Sequence, residues 1–352
     1  MHSYLKLINP VSFGKFRSRN IYSIAIAFTL VYLCWLPLRF VVTDNDQQAY
    51  ETYLAEAATT GLSHFQGMRF VSYLYHFAEP FVPIILVTNL IFLVFAVVAT
   101  RQALSIGHAF MMGYLLFPAL CLSNYMSKES VFTAFALLVC GLHRVIKIKL
   151  ISPTLWFLLP IAIFTVTVRP HYFPALAMGI ALFFIGVRKS IIIIPIALLF
   201  AGLGILVFQD AFMSAVDALV DYRQRMYELS TYVWGTRSTI YIDENWVGFS
   251  GLIIMTILNL VALVLPIAFD PTIKGVFAQG FSLLFVYHVC YLIRYPQLRV
   301  GLLTVLGLSL ISIALSPDTG TMLRHLSMCF ILTVVLVQYY GPSLRTQVEG
   351  SS

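Results

Sequence analysis

The stretch IYSIAIAFTLVYLCWLPLRFVV, residues 21–42, decides the fold because it is long and apolar enough to cross a lipid bilayer. A transmembrane helix needs about 20 apolar residues to cover roughly 30 Å of hydrocarbon. Of the 352 residues, 60% are hydrophobic and only 11% are charged, a balance that a water-soluble protein cannot accommodate. The apolar runs lie near residues 21–42, 80–100, 104–123, 130–146, 153–168, 172–187, 190–208, 251–269, 275–293, 300–316 and 324–340.

These runs predict an all-α fold, a polytopic membrane helical bundle with about 10–11 transmembrane helices. No small-residue cleavage site follows the first run, so the sequence predicts a retained helix there and not a signal peptide. No internal repeat, Gly/Ser linker or low-complexity tract divides the chain. Residues 1–352 are therefore expected to form a single integral membrane domain.

The net charge of +7 indicates topology and not nucleic-acid binding, because the basic residues cluster in short loops between apolar runs. Three such loops are MHSYLKLINPVSFGKFRSRN (1–20), HRVIKIK (143–149) and VRKS (187–190). Positively charged loops stay in the cytoplasm. The chain is therefore expected in the cell (inner) membrane with a cytoplasmic N-terminus, and loops 43–79 and 210–250 are expected on the outer, periplasmic face.

Two segments near the membrane surface need separate treatment. The stretch FQGMRFVSYLYHF (65–77) has apolar and aromatic residues on one helical stripe, which predicts an amphipathic helix lying flat in the interface. The run GLIIMTILNLVALVLPIAF (251–269) is either a full crossing or a re-entrant pair broken near Pro266. The distribution of arginines after this run slightly favours the re-entrant alternative.

Several signatures of soluble enzymes and pumps are absent from the sequence. It contains no phosphate-binding loop, HExxH pair or CxxC pair. The cysteines all lie in apolar runs without paired spacing, which predicts neither a disulfide framework nor a metal site. No cofactor is therefore expected, and the sequence does not support a divalent metal.

The stretch TDNDQQAYETY (43–53), directly after the first apolar run, carries two carboxylates at the expected membrane edge. Asp44 and Asp46 suit a helix cap, since aspartate accepts hydrogen bonds from the first amides of a helix. They equally suit a catalytic base, because a carboxylate can take a proton from a hydroxyl. Both interpretations stay open.

Polar residues at the expected outer ends of later helices form the other candidates. Lys128 and Glu129 begin a helix, where the helix dipole alone favours a glutamate; the alternative is that both face a shared cavity. In TVTVRPHYF (165–173), Pro170 ends a helix and is expected to leave the Arg169 guanidinium in the headgroup layer. There it would anchor the helix or clamp a lipid-linked phosphate, with His171 and Tyr172 beside it.

Two further candidates come from the second half of the chain. Arg237 lies in the outer segment 221–246, where aromatic side chains alternate with charged ones. That composition is typical of an interfacial aromatic belt, and also of a surface that binds sugar rings and phosphate. Arg324 and His325 lie in SPDTGTMLRHLSM (316–328), between the last two apolar runs.

Taken in order along the chain, these motifs resemble a known family. TDNDQQAY after the first helix, LFPALCLSNYMSKES between the third and fourth and TVRPHYF after the fifth resemble the GT-C fold membrane glycosyltransferases. The closing PDTGTMLRH is similar to an element of Wzy/EpsG-like bacterial polysaccharide polymerases. The chain lacks the large soluble C-terminal domain of many GT-C enzymes, so the resemblance favours glycan assembly over protein glycosylation.

The resemblance implies a membrane glycosyltransferase that uses a polyprenyl-phosphate or polyprenyl-diphosphate sugar on the outer face. It implies that the first-loop acid is the base, which is Asp44 or, failing it, Asp46. Inverting transfer also needs positive charge where the lipid (di)phosphate departs, and Arg169 with Lys128, Arg237 or Arg324 would supply it. The expected partners are the lipid-linked donor, a glycan acceptor, the bilayer and other envelope polysaccharide assembly proteins, with no nucleic acid.

Two alternatives stay open. A ligase or single-sugar transferase of the same fold differs from a polymerase only in its acceptor. A lipid or polysaccharide transporter or flippase would place charged or Gly/Pro-broken positions at helix centres. The apolar runs here are almost free of charge at their centres, which favours the enzyme.

Cysteine labelling in sealed cells tests the expected orientation. Gln47→Cys and Ser238→Cys should react from outside with a membrane-impermeant thiol reagent, and Lys147→Cys should not. The unsubstituted protein controls for the native cysteines, and outside labelling at position 147 would reverse the orientation. Protection of Gln297→Cys supports the re-entrant alternative for 251–269, whereas outside labelling there favours a full crossing.

Overall fold

A computed structural model describes residues 52–55, 67–81, 83–100, 102, 106–120, 127–146, 152–187, 209–228, 243, 245, 247–316 and 319–349. These residues are almost entirely helical and include no strand, which confirms the all-α prediction for the part of the chain described. The predicted spans at 21–42 and 190–208 lie outside the described residues.

The helices follow the predicted apolar runs closely. Their bounds are α1 (Gly67–Ala78), α2 (Ile84–Thr100), α3 (Ile106–Leu120), α4 (Lys128–Ile146), α5 (Pro153–Thr167), α6 (Phe173–Ile185), α7 (Gln209–Glu228), α8 (Gly248–Val264), α9 (Pro266–Phe269), α10 (Ile273–Leu292), α11 (Arg299–Leu315) and α12 (Thr319–Glu349). Short 3₁₀ turns, Pro170–Tyr172 and Pro296–Leu298, precede α6 and α11.

Three of the described helices contain windows long and apolar enough to cross a membrane: Gly275–Leu292, Pro296–Ile313 and Thr321–Tyr340. The helices α5 and α8 are equally apolar in character but shorter. The structure therefore supports a helical membrane protein by length and composition. The number of crossings and their direction stay predictions.

The described residues divide into two compact units. Unit 1 takes those within Met1–Leu176 and Phe330–Ser352, and unit 2 takes those within Ala177–Cys329. The two units are defined by how the chain packs on itself. They do not test the expectation of a single membrane domain, which stays a prediction.

In unit 1, α4 is the central helix: it packs against α5, α2 and α1. The middle of α12 is buried here, from Phe330 to Leu336. Two glutamines tie α12 to the end of α2, because Gln102 donates to the Val334 carbonyl at 2.7 Å and Gln338 donates to the Val98 carbonyl at 3.3 Å. These hydrogen bonds satisfy the side-chain amides, because a polar group without a partner in an apolar surrounding costs free energy.

In unit 2, α8 is the central helix: it packs against α7, α11, α10 and α9. The contact with α7 is a small apolar core of Val216, Val220 and Met255. The helix α7 is therefore an amphipathic helix with one apolar side on α8, and its acidic residues, such as Asp217 and Asp221, are exposed.

The run 251–269 is broken where Pro266 predicts a break. Leu265 leaves helical geometry at φ −130° and ψ 60°, and Pro266 begins the single turn α9. Gln279 donates to the freed carbonyl of Val264 at 2.7 Å. The chain then turns sharply at Asp270, which lies so close to Gly275 that an added Cβ would meet the Asp270 carbonyl oxygen at 1.6 Å. At about 1.5 Å per residue, the 17 residues of α8 fall short of roughly 30 Å of hydrocarbon.

Candidate functional site

The first turn of α4 carries the buried carboxylate of the site. Ser127 caps the helix, because its Oγ accepts from the Ser130 amide at 3.1 Å. Glu129 follows inside the first turn, where the helix dipole stabilises a negative charge. Thr133, one turn later, donates to the Glu129 carbonyl at 2.7 Å. The sequence S-K-E-S therefore fixes both the start of α4 and the place of its carboxylate.

The end of α5 carries the arginine. Pro170 disfavours helical geometry in the residue before it, and Arg169 accordingly adopts φ −133° and ψ 76°. The amides of Val168 and Arg169 both donate to the Phe164 carbonyl, at 2.9 and 3.0 Å, which closes the helix. The chain direction changes at Arg169, so its side chain leaves the axis of α5.

Arg169 and Glu129 form a buried ion pair. The Arg169 Nη2 lies 3.1 Å from the Glu129 Oε1, and the two side chains are only 5% and 2% exposed. The Arg169 Nη1 donates to the Tyr172 hydroxyl at 3.0 Å, and the guanidinium carbon lies 5.5 Å from the centre of the Tyr172 ring. The guanidinium is therefore buried against α4 and is not the exposed side chain of a helix anchor, while its expected depth in the headgroup layer stays a prediction.

The surroundings of the pair are aromatic and apolar. Phe132 on α4 meets Phe164 on α5 edge to face with ring centres 4.7 Å apart, and Phe164 lies 6.2 Å from the Tyr172 ring. A charge is attracted more strongly to its partner in such a surrounding than in water. Removing either member would leave the other charge buried without that partner.

Beside the pair lie the two other polar candidates of this region. The His171 ring is exposed and packs edge to face on Tyr172, with centres 4.8 Å apart. Although His171 keeps part of its surface exposed, desolvation by the surrounding side chains, together with the positive charges of Arg169 and Lys128, lowers the pKa of His171 to about 4. The imidazole is therefore neutral near pH 7 and can accept or donate a hydrogen bond. Lys128 is half-buried at the first position of α4.

The amphipathic helix α1 contacts this region directly. Tyr75 is buried and hydrogen-bonds to the Ser130 hydroxyl in the first turn of α4. Burial raises the pKa of Tyr75 to about 12, so its hydroxyl stays protonated. The first residue of α1, Gly67, has φ 61°, a conformation that favours glycine. A Cβ atom added to Gly67 would lie 4.0 Å from the Val168 carbonyl oxygen.

The candidates of unit 2 lie where α11 meets the start of α12. The Ser316 hydroxyl donates to the Ser312 carbonyl at 2.6 Å and lies 3.2 Å from the His325 Nδ1. His325 is buried, and Arg324 is half-buried. His325 therefore holds the C-terminal end of α11 to α12.

The structure adds a polar network in unit 2 that the sequence analysis did not single out. Arg223 on α7 is buried and donates to the Asn259 side-chain oxygen at 3.3 Å. Asn259 in turn donates to the Ile313 carbonyl in the last turn of α11 at 2.9 Å. A signal for Arg223 exists in the sequence, since it follows Val216 and Val220 at helical spacing on the apolar stripe of α7.

The structure thus brings Glu129, Arg169 and Tyr172 into contact, with Lys128 and His171 beside them. Arg324 and His325 belong to unit 2 and are described there by themselves. Asp44, Asp46 and Arg237 lie outside the described residues. Within the described ranges, no group of three or more His, Cys, Asp or Glu side chains is placed to hold a metal ion.

Comparison with known proteins gives no relative for this chain: no protein-family model matches it, and neither a curated protein nor a solved structure shows a significant match.

The ion pair leads to a stability prediction. Glu129→Gln leaves Arg169 buried beside a neutral amide and should cost about 3–5 kcal/mol of unfolding free energy, because an uncompensated buried charge is expensive. The measurement is the melting temperature of the purified protein in detergent. Glu79→Gln, at an exposed carboxylate in the turn after α1, is the matched control and should melt like the wild type.

A double variant separates the pair from its surroundings. Adding Arg169→Met to Glu129→Gln removes the uncompensated charge and should restore part of the lost melting temperature. A Glu129→Gln protein that melts with the wild type would contradict the role given to this pair.

Proposed function

We propose that the protein transfers sugars from a polyprenyl-(di)phosphate-linked sugar or oligosaccharide to a glycan acceptor on the outer face of a cell membrane. The observation that carries the proposal is the buried Arg169, paired with Glu129 and stacked on Tyr172 at the ends of α4 and α5. The reaction is a step in the polymerisation of an O-antigen or exopolysaccharide.

A buried arginine suits a leaving (di)phosphate for electrostatic reasons. The guanidinium remains charged at any physiological pH and presents five N–H donors in a planar fork that matches phosphate oxygens. Glu129 and Tyr172 each accept a hydrogen bond from one of the two terminal nitrogens of the guanidinium and so fix its plane. Because the guanidinium N–H groups are already held in place, they need not reorganise when negative charge develops on the phosphate.

The general base of the reaction is expected among residues outside the described ranges. The acceptor hydroxyl attacks the anomeric carbon of the donor, and Asp44 takes the hydroxyl proton as general base, with Asp46 as the substitute. The bond between the anomeric carbon and the phosphate oxygen breaks, and its electron pair stays on the lipid (di)phosphate. Arg169, with Lys128 nearby, stabilises that charge. Arg237 and, within unit 2, Arg324 and His325 are further proposed substrate contacts.

The position of the charged residues in the helices favours an enzyme over a transporter. Glu129 is the second residue of α4, and Arg169 follows the last residue of α5 by two. A transporter that moves a charged substrate through the membrane needs polar or broken positions near the middle of its helices. A ligase or single-sugar transferase would use the same site, and only the acceptor separates these from a polymerase.

An assay with purified protein and a polyprenyl-diphosphate-linked oligosaccharide tests the proposal. The wild type should produce longer glycan. Asp44→Asn keeps the shape but removes the base, so glycan formation should fall by a factor on the order of 10²–10⁴ with the melting temperature nearly unchanged. Asp46→Asn should lower it less.

Arg169→Lys is the matched test of the arginine, because an ammonium keeps the charge but cannot reproduce the planar fork. The rate of glycan formation by Arg169→Lys should be well below that of the wild type even where the folded fractions of the two proteins are equal. Full activity of Asp44→Asn, Asp46→Asn and the double variant would show that the aspartates only cap a helix. A wild type that transports the lipid-linked sugar without elongating it would favour the transporter.

A further inference from the structure

The helix α1 is bonded to the ion-pair site through one side chain. Tyr75, near the end of α1, hydrogen-bonds to Ser130, the residue after Glu129. This short helix thus contacts the first turn of α4, which carries the carboxylate of the pair.

The Tyr75 contact is directional. The Ser130 hydroxyl donates its one hydrogen to the Ser127 carbonyl at 2.8 Å, which leaves its oxygen as an acceptor. Tyr75 is therefore the donor. The Ser127 hydroxyl also lies 3.1 Å from the Ser130 hydroxyl, so the bond from Tyr75 ends in the hydrogen-bonded cap of α4.

One face of α1 is buried against α4. Val71, Ser72 and Tyr75 lie on that face, and α1 packs on α4. The exposed positions of α1 include Arg69 and Phe77, and the Phe77 ring lies 6.2 Å from the exposed Phe81 ring in the turn that follows. Apolar contacts such as that of Val71 are not directional, whereas the hydrogen bond of the Tyr75 hydroxyl is, so this bond specifies one position of the helix.

We propose that Tyr75 is a positioning residue: through Ser130 it holds the first turn of α4, and with it Glu129 and the guanidinium of Arg169, in the geometry that the transfer reaction needs. The proposal rests on the proposed function.

The test compares Tyr75→Phe, which removes only the hydroxyl, with Tyr73→Phe, a half-buried tyrosine on the same helix. In the glycan-elongation assay, Tyr75→Phe should lower kcat roughly two- to tenfold, the worth of one hydrogen bond, with KM nearly unchanged, because Tyr75 does not touch the substrate. Tyr73→Phe should match the wild type.

Ser130→Ala removes the acceptor of the Tyr75 hydrogen bond and so tests whether Tyr75 acts through Ser130. Because Ser130 also bonds to Ser127, Ser130→Ala should lower kcat at least as much as Tyr75→Phe does. The double variant should be no worse than Ser130→Ala alone, since the bond from Tyr75 is already lost in that variant. Fully additive losses, a rise in KM with kcat unchanged, or an unchanged Tyr75→Phe would overturn the proposal.

Amide hydrogen exchange separates this inference from the proposed function. Exchange at residues 130–133 should speed up in Tyr75→Phe and not in Tyr73→Phe, whatever reaction the protein performs. If the wild type makes no glycan while this exchange difference is present, the proposed function fails and the hold on α4 stands. Equal exchange in both variants would overturn the hold itself.

Discussion

The buried ion pair of Arg169 with Glu129 is the interaction on which the described site depends. A charge in an aromatic, apolar surrounding is tolerated only beside a partner, so the pair requires the start of α4 to lie against the end of α5. Ser127 and Pro170 set these two points, one by capping a helix and the other by ending one. Tyr172 and the turn that contains it complete the constraint by fixing the plane of the guanidinium.

The same principle recurs in each unit, taken by itself. In unit 1 the amphipathic helix α1 sends Tyr75 to the capped start of α4. In unit 2 the amphipathic helix α7 sends Arg223 to Asn259, which bonds to the carbonyl-rich end of α11. In both units a buried polar contact therefore joins an amphipathic helix to the central helix of that unit.

Much of this arrangement follows from local sequence. Apolar runs and prolines predict most helix bounds, including the break at Pro266, because a proline acts on the residues next to it. The pairing of Glu129 with Arg169 is different: the two residues are 40 positions apart, and no periodicity indicates that they touch. The contact of Tyr75 could not be predicted for another reason, because in a helix rich in aromatic residues a tyrosine cannot be told from an ordinary interfacial aromatic side chain. The burial of Arg169 was missed because a proline-terminated apolar helix also suits an exposed, anchoring arginine.

The central claim is that the Arg169 fork receives the lipid-linked (di)phosphate while Glu129 holds it. Electron cryomicroscopy of the protein in lipid nanodiscs with bound polyprenyl diphosphate tests this most directly. The account predicts density for the diphosphate within hydrogen-bonding distance of the Arg169 guanidinium, with Glu129 still in contact. Density elsewhere, with the guanidinium still bonded to Glu129 and Tyr172 as in the ligand-free protein, would contradict it and reduce the pair to a structural contact.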